Sequence, residues 1–198
     1  PFLNFNIITN LIILLYLFSM KILLDTTTLL SPKGGIGHYV DKISNELIND
    51  RNFQPFFLTD NYFSRDLNKI KDYKPSLFES NLKKNIRLDY KYKNIIINRF
   101  IKKNNIEIFH QPNFIGFDSK TKNIITVHDL SWLRFPEFFL KRELDYFKLF
   151  FEKSIKSAFK VIVHSNFVKQ ELNLIYNISE SKIKVIHEDL RQEFKILD

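Results

Sequence analysis

Apolar and polar residues follow one another along this chain in short blocks whose period switches repeatedly. Lys21 to Asp25 (KILLD) is a short apolar run bounded by turn-forming residues, which predicts a strand. Thr26 to Gly35 reads as a loop, broken by Pro32 and the pair Gly34-Gly35. From Gly37 the period becomes helical, with Val40, Ile43 and Leu47 on one face to about Asn49. Pro55 to Thr59 predicts a second strand, and Asn61 to Leu82 is polar and irregular with weak helical signals. Asn85 to Tyr90 reads as a third strand. Lys93 to Lys103 reads as a basic amphipathic helix with Ile96, Ile97, Phe100 and Ile101 as its apolar side. Strands are expected at Ile106 to Phe109 and Asn123 to Val127. A long helix follows from Pro136 to about Ser157, its apolar face formed by Leu140, Leu144, Phe147, Phe151, Ile155 and Ala158. Lys160 to Val163 is a strand, Ser165 an N-cap for a helix to about Tyr176, and Ile183 to Ile186 a last strand.

Strand and helix alternate throughout. That order predicts an α/β fold: a Rossmann-like parallel sheet with helices on both faces. No internal repeat and no low-complexity linker interrupts it. Residues 1 to 19 stand apart. They carry no charge, their apolar run Leu11 to Phe18 is short for a bilayer span, and no basic segment precedes it. Met20 is the only methionine and immediately precedes the first strand. The expected division is therefore an extra apolar segment at 1–19, outside the native fold, and a Rossmann-like domain at 20–187. A short membrane anchor is the other reading of residues 1 to 19.

Composition narrows the classes. The chain has 198 residues, 44% hydrophobic and 26% charged, which suits a globular core. It has no cysteine, so disulfide frameworks and thiolate metal sites are excluded. The net charge of +8 suits an anionic partner: a membrane surface, a nucleic acid or a phosphorylated substrate. The basic residues are scattered over several helices, which disfavours a sequence-specific nucleic-acid module.

The candidate chemistry lies where strands end. Three of the four glycines, Gly34, Gly35 and Gly37, fall in the loop that feeds the first helix. Glycine permits positive φ and close approach, and a helix N-terminus suits a phosphate. A tight strand-to-helix connection without a ligand explains the same glycines equally well. No Gly-Lys-Ser/Thr follows, so this is not a P-loop. Val40 and the long loop fit the dinucleotide fingerprint poorly, leaving Asp60 as the one feature favouring a nicotinamide enzyme. Of the five histidines, His110, His128, His164 and His187 each directly follow a predicted strand, while His38 begins the first helix. Ligands of open α/β sheets bind outside the carboxyl ends of the strands, and histidine there can hold a phosphate or move a proton. Asp25 and Asp129 share that rim. His128 is the strongest candidate, with Asp129 next to it as a partner that could orient it. His187 is the weakest, since it lies where a linker would begin. No histidine pair has the helical spacing of a zinc motif, so no metal site is expected. Trp132 and Phe135 are expected to be core or lid packing.

Five segments then carry a resemblance: MKILLDTTTLLSPKGGIGHYV, IEIFHQPNF, KNIITVHDLSWLRFPEFF, KVIVHSNFVKQEL and SKIKVIHEDLRQEF. Their order and spacing resemble the N-terminal half of a glycosyltransferase family 4 enzyme of the GT-B fold. The resemblance implies two Rossmann-like domains around a cleft. The N-terminal domain takes the acceptor and the second domain most of a nucleotide-sugar donor. It implies a donor-diphosphate role for Gly34, Gly35 and Gly37, and a catalytic, sugar-positioning role for His128 with Asp129. It implies cleft or acceptor roles for His38, His110, Asn113, His164 and Ser165. Retaining transfer without a metal or other cofactor is implied, onto an envelope glycan or lipid-linked acceptor. The location implied is cytoplasmic, at the membrane face. The chain departs from the family at His38, where arginine is usual, and at His187-Glu188-Asp189, where a Pro-Asn-Gly-like turn is usual. Residues 188–198 are expected to begin a linker to a missing donor-binding domain, which leaves this chain inactive alone. A basic, non-catalytic membrane- or nucleic-acid-binding module is the alternative.

Overall fold

The computed structural model describes residues 19–30 and 34–188. The 1–19 segment up to Phe18, Pro32, and the expected linker from Asp189 onward lie outside the described residues. The fold is α/β and Rossmann-like. Its strands are β1 (Met20–Asp25), β2 (Phe53–Thr59), β3 (Tyr62–Ser64), β4 (Ile108–Gln111), β5 (Lys122–Val127), β6 (Lys160–Val163) and β7 (Ile183–Val185). Hydrogen-bonded neighbours run in the order β3-β2-β1-β4-β5-β6-β7. The pairs β1–β2, β5–β6 and β6–β7 are parallel, and β2–β3 is antiparallel. The chain divides into two compact units, residues 1–109 and 110–198.

In the first unit, α1 (Gly35–Asn49) follows a 3-10 turn at Thr27–Leu30. Leu24 and Phe57 are register partners on adjacent strands and share a face. They pack with Leu29, Val40, Leu67 and Ile70, drawing on α1 and on α2 (Leu67–Lys71). Each fully buried side chain of this size contributes about 1.5–3 kcal/mol. The strand period of two turns Phe56 to the opposite face, where it meets Phe100 edge-on at 5.7 Å. Phe63 stacks on the same ring at 4.0 Å. Phe100 belongs to α4 (Ile86–Asn104), so helices cover both faces here.

Two expectations in this unit change. The strand expected at Asn85 to Tyr90 is the cap and first turn of α4. Asn85 accepts a hydrogen bond from Leu88 N–H at 3.1 Å, and Asp89 pairs with Lys93 one turn on at 3.1 Å. The alternation of Ile86, Leu88 and Tyr90 mimics a strand, but the side chains that turn inward are Tyr90, Lys93, Ile97 and Ile101, at helical spacing. The irregular stretch Asn61 to Leu82 holds β3, α2 capped by Asp66, and α3 (Leu77–Leu82) with a Ser76/Glu79 capping box. Ser19 is buried, and its hydroxyl accepts from Gln54 Nε2 at 2.6 Å.

In the second unit, a short helix α5 (Ser131–Arg134) and a 3-10 turn (Pro136–Phe138) precede α6 (Lys141–Ser157). The long helix thus starts at Lys141, not Pro136. Glu143 accepts the Leu140 N–H at 3.0 Å, and Leu140 itself is exposed. Trp132 is buried, stacked on Phe147 at 4.8 Å and edge-on to Phe151 at 5.4 Å, which makes it core packing. Ser165 caps α7 (Asn166–Tyr176) by accepting from Val168 N–H at 3.2 Å. Ile125, Val127, Val161, Val163, Ile155 and Leu172 are fully buried between strands and helices.

Candidate functional site

In the first unit, Gly34 is the N-cap of α1, and Gly35 and Gly37 lie in its first turn. The helix therefore starts two residues before the expected Gly37. Gly34 has φ of −84°, and no described glycine has positive φ, so this turn does not use glycine for left-handed backbone. A Cβ on Gly34 or Gly35 would meet nothing within 4 Å. Both are exposed, so nothing in the chain's own packing requires glycine at either position. Gly37 is buried, and His38 is half-buried with its N–H on the Gly34 carbonyl at 3.0 Å.

The ends of β1 and β2 carry a charged cluster. Asp25 accepts from the Thr27 N–H and hydroxyl at 2.9 and 2.6 Å. Burial pushes its carboxyl above the ordinary value, against the pull of those bonds. Asp60 is buried with φ of 49° and takes Lys83 at 2.7 Å and Lys93 at 3.3 Å. Burial works to lower Lys93, but Asp89 and Asp60 outweigh it and hold the ammonium above its usual range. Asp60 is thus engaged by two lysines. That removes the one feature that favoured a nicotinamide enzyme.

The second unit gathers the strand-end histidines. His128 and His164, after β5 and β6, have ring centroids 4.8 Å apart, tilted by 41°. His128 Nε2 donates to the Pro112 carbonyl at 3.0 Å, and His164 Nδ1 to the Ile186 carbonyl at 2.9 Å. The remaining nitrogens meet one carboxylate oxygen, Glu188 Oε1, at 3.4 Å from His128 Nδ1 and 3.2 Å from His164 Nε2. His187 Nδ1 donates to the His164 carbonyl at 3.0 Å and holds the segment after β7 beside the pair. Burial lowers the His128 pKa from its ordinary value, as does His164. The Pro112 carbonyl and Glu188 act the other way. Phe114, at φ 50°, lays its ring 5.5 Å from His128 and 5.6 Å from Phe147. A bulky residue in left-handed backbone costs on the order of 1–3 kcal/mol, and such strain gathers at functional sites.

The other expected residues fall in different places. His110 is buried with Nε2 on the Thr126 hydroxyl at 2.9 Å, and burial pushes its pKa down to about 4. Asn113 is exposed on the loop after β4. Ser165 is engaged as the α7 cap. Asp129 does not orient His128 as expected: its Oδ1 accepts from the Ser131 N–H and hydroxyl at 2.7 and 2.5 Å and opens α5. Pro112 and Glu188 orient His128 instead. Glu188, assigned from sequence to a linker, belongs to this cluster. Nothing in the local sequence marks it, because its contacts reach residues that follow two other strands. Gln111 was also missed. Buried after His110, it donates to the Phe117 carbonyl at 3.1 Å and to Asn123 Oδ1 at 2.6 Å, fixing the loop that carries Pro112 and Phe114.

Among the described residues, no helix is long and apolar enough to cross a membrane. No curated protein sequence matches the chain. Twelve solved chains match. One is the crystal structure of a glycosyltransferase from Rickettsia africae ESF-5, at 19% identity and a TM-score of 0.47. That match covers 85% of this chain and 43% of the solved one, so the chain spans less than half the length of that protein. The model of Glycosyltransferase Family 4 matches residues 33–188, well over half of the sequence and the whole run from the glycine turn to Glu188. On that match the chain belongs to Glycosyltransferase Family 4.

Proposed function

We propose that residues 20–187 form the acceptor-side domain of a retaining glycosyltransferase. The enzyme moves a sugar from a nucleotide-sugar to an envelope glycan or lipid-linked acceptor. The observation that carries this reading is the His128–His164 pair at the ends of β5 and β6, inside the stretch matched by the family. In this role His128 meets the transferred sugar, and Pro112 and Glu188 hold its ring. Gly34, Gly35 and Gly37 present the α1 N-terminus to the donor diphosphate, and the exposure and open space at Gly34 and Gly35 suit an anion there. His38 and Asn113 lie on the acceptor side.

Glycosyl transfer needs the donor held, the leaving diphosphate stabilised and water excluded by two closing lobes. In this reading residues 20–187 supply the acceptor-side half of that. Transfer assays on the protein test it: His128→Ala should lower turnover of nucleotide-sugar by about 10-fold or more, and unchanged turnover would overturn the role given to His128. Loss of nucleotide-diphosphate binding in Gly35→Ala, with fold retained, supports the phosphate assignment. Unchanged binding refutes it.

The same domain docks on the cytoplasmic membrane face in this reading. Leu77 and Phe78 on α3, and Leu88 and Ile95 on α4, are exposed, and Lys84, Arg87 and Lys91 lie in the same segment. Apolar side chains flanked by cations suit an anionic lipid surface.

A further inference from the structure

In the second unit α5 follows β5 and His128, and α7 follows β6 and His164. Both helices therefore leave the carboxyl ends of adjacent parallel strands. Arg134, the last residue of α5, joins them. Its guanidinium lies 5.0 Å from the centre of the Phe167 ring and 6.0 Å from that of Phe135. Its Nε faces Glu171 Oε1 at 3.5 Å. Phe167 and Glu171 are one helical turn apart on α7 and share a face. Two rings and a carboxylate thus fix the plane and the direction of one guanidinium.

The outer edge of that group faces solvent. A guanidinium carries five N–H donors in a flat fork. Among the described residues no hydrogen bond is made by the terminal amino groups of Arg134, and its side chain is 39% exposed. Phe135 and Phe167 are exposed beside it. A surface arginine ordinarily loses much side-chain freedom when it binds. Here the rings and Glu171 have already taken that freedom away, so an arriving anion meets donors already set.

The ligand follows from the two kinds of surface. The fork matches two oxygens of a phosphate or a carboxylate. The face of a phenyl ring is the negative side of its quadrupole, which suits the weakly positive C–H face of a pyranose. We infer that Arg134, Phe135 and Phe167 form a subsite for an anionic sugar of the acceptor, either a sugar phosphate or a uronic acid. The acceptor role of this subsite rests on the acceptor-side reading above. Its binding is read without nucleotide-sugar, so it can fail while His128→Ala still lowers turnover.

The test is calorimetric titration of the full chain with glucose 1-phosphate, glucuronate, glucose and inorganic phosphate. At least one anionic sugar should bind about tenfold or more tightly than glucose and than phosphate, because only it uses both fork and rings. The tighter of the two anionic sugars identifies the charged group. Saturation-transfer NMR should show its ring protons receiving magnetisation from phenylalanine. Arg134→Lys keeps the charge but loses the fork, and should weaken this binding by about tenfold or more. Lys122→Ala, at the amino end of β5, also removes a charge and should bind as the parent does. Circular dichroism will report that both variants keep the fold. The subsite is overturned if neither anionic sugar binds more tightly than glucose, or if Arg134→Lys binds as the parent does. Phosphate binding as tightly as the sugars would mean an adventitious ion only. Loss of phosphatidylserine-vesicle binding in Arg134→Lys, without sugar binding in the parent, would assign the rings to lipid and overturn it as well.

Discussion

His128 and His164 face each other at 4.8 Å between ring centroids, and each gives its outer N–H to a backbone carbonyl. The two rings are therefore opposite tautomers, His128 protonated on Nε2 and His164 on Nδ1. Nitrogen chemical shifts correlated through the ring protons report this directly at mildly alkaline pH. Two identical tautomers would mean that Pro112 and Ile186 do not hold the pair.

Gly116 has a role that Gly34 and Gly35 lack. A Cβ there would stand 2.7 Å from Ile125 Cδ1 and 2.8 Å from Gln111 Nε2. The Gly116 carbonyl also accepts from the Ser154 hydroxyl at 2.9 Å. Gly116→Ala should cost about 1–3 kcal/mol through overpacking and a displaced Gln111. Gly35→Ala, with open space around it, should change stability by no more than about 1 kcal/mol. Urea midpoints of the two variants check the contrast. Equal effects would contradict the packing around Gly116.

The parallel strands were legible because they are near-continuous apolar runs, as in IITV and KVIV. The strand-end histidines followed from that frame. What stayed hidden depended on tertiary pairing. Asn85 to Tyr90 looks like a strand until Asn85 caps the helix and Lys93 turns inward to Asp60 and Asp89. Asp129 looked like the partner of its neighbour His128, yet a side chain two residues on, Ser131, claims it. Glu188 could be assigned only once β5, β6 and β7 were laid side by side. No spacing in the sequence announces a contact made across three strands.

The exposed side chains of α3 and α4 give a lipid-binding prediction. Transferring Leu77 and Phe78 into an interface is worth about 1.5–3 kcal/mol each at full burial. Leu77→Ser with Phe78→Ser should therefore lower co-sedimentation with phosphatidylserine vesicles by about tenfold or more. Rising salt should weaken the parent's binding, because the lysine contribution is screened. Equal sedimentation of parent and variant would remove these helices from any membrane contact.

Acid should unfold the protein in two stages set by different groups. Burial pushes His110 down to about 4 from an ordinary value of 6.5, with His128 acting in the same direction. Between those values the unfolded chain holds the proton and the folded chain does not. Stability from this group is complete above the unfolded value of 6.5 and falls as pH drops toward 4, by on the order of 3 kcal/mol in all. Glu79 acts lower. Burial pushes its carboxyl up, but bonds from the Tyr73 hydroxyl and the Ser76 N–H, both at 2.6 Å, outweigh that and hold it at about 2. Its contribution is present above 4.5 and is lost as pH falls toward 2. Glu79 is partly exposed, and solvent screening limits the loss to no more than about 1 kcal/mol. Urea midpoints followed across the acid range should show the larger slope in the upper window. His110→Gln should flatten that window alone, and Tyr73→Phe should reduce the slope of the lower one, since the Ser76 bonds to Glu79 remain. A slope in the upper window that survives His110→Gln would assign the acid sensitivity to another group.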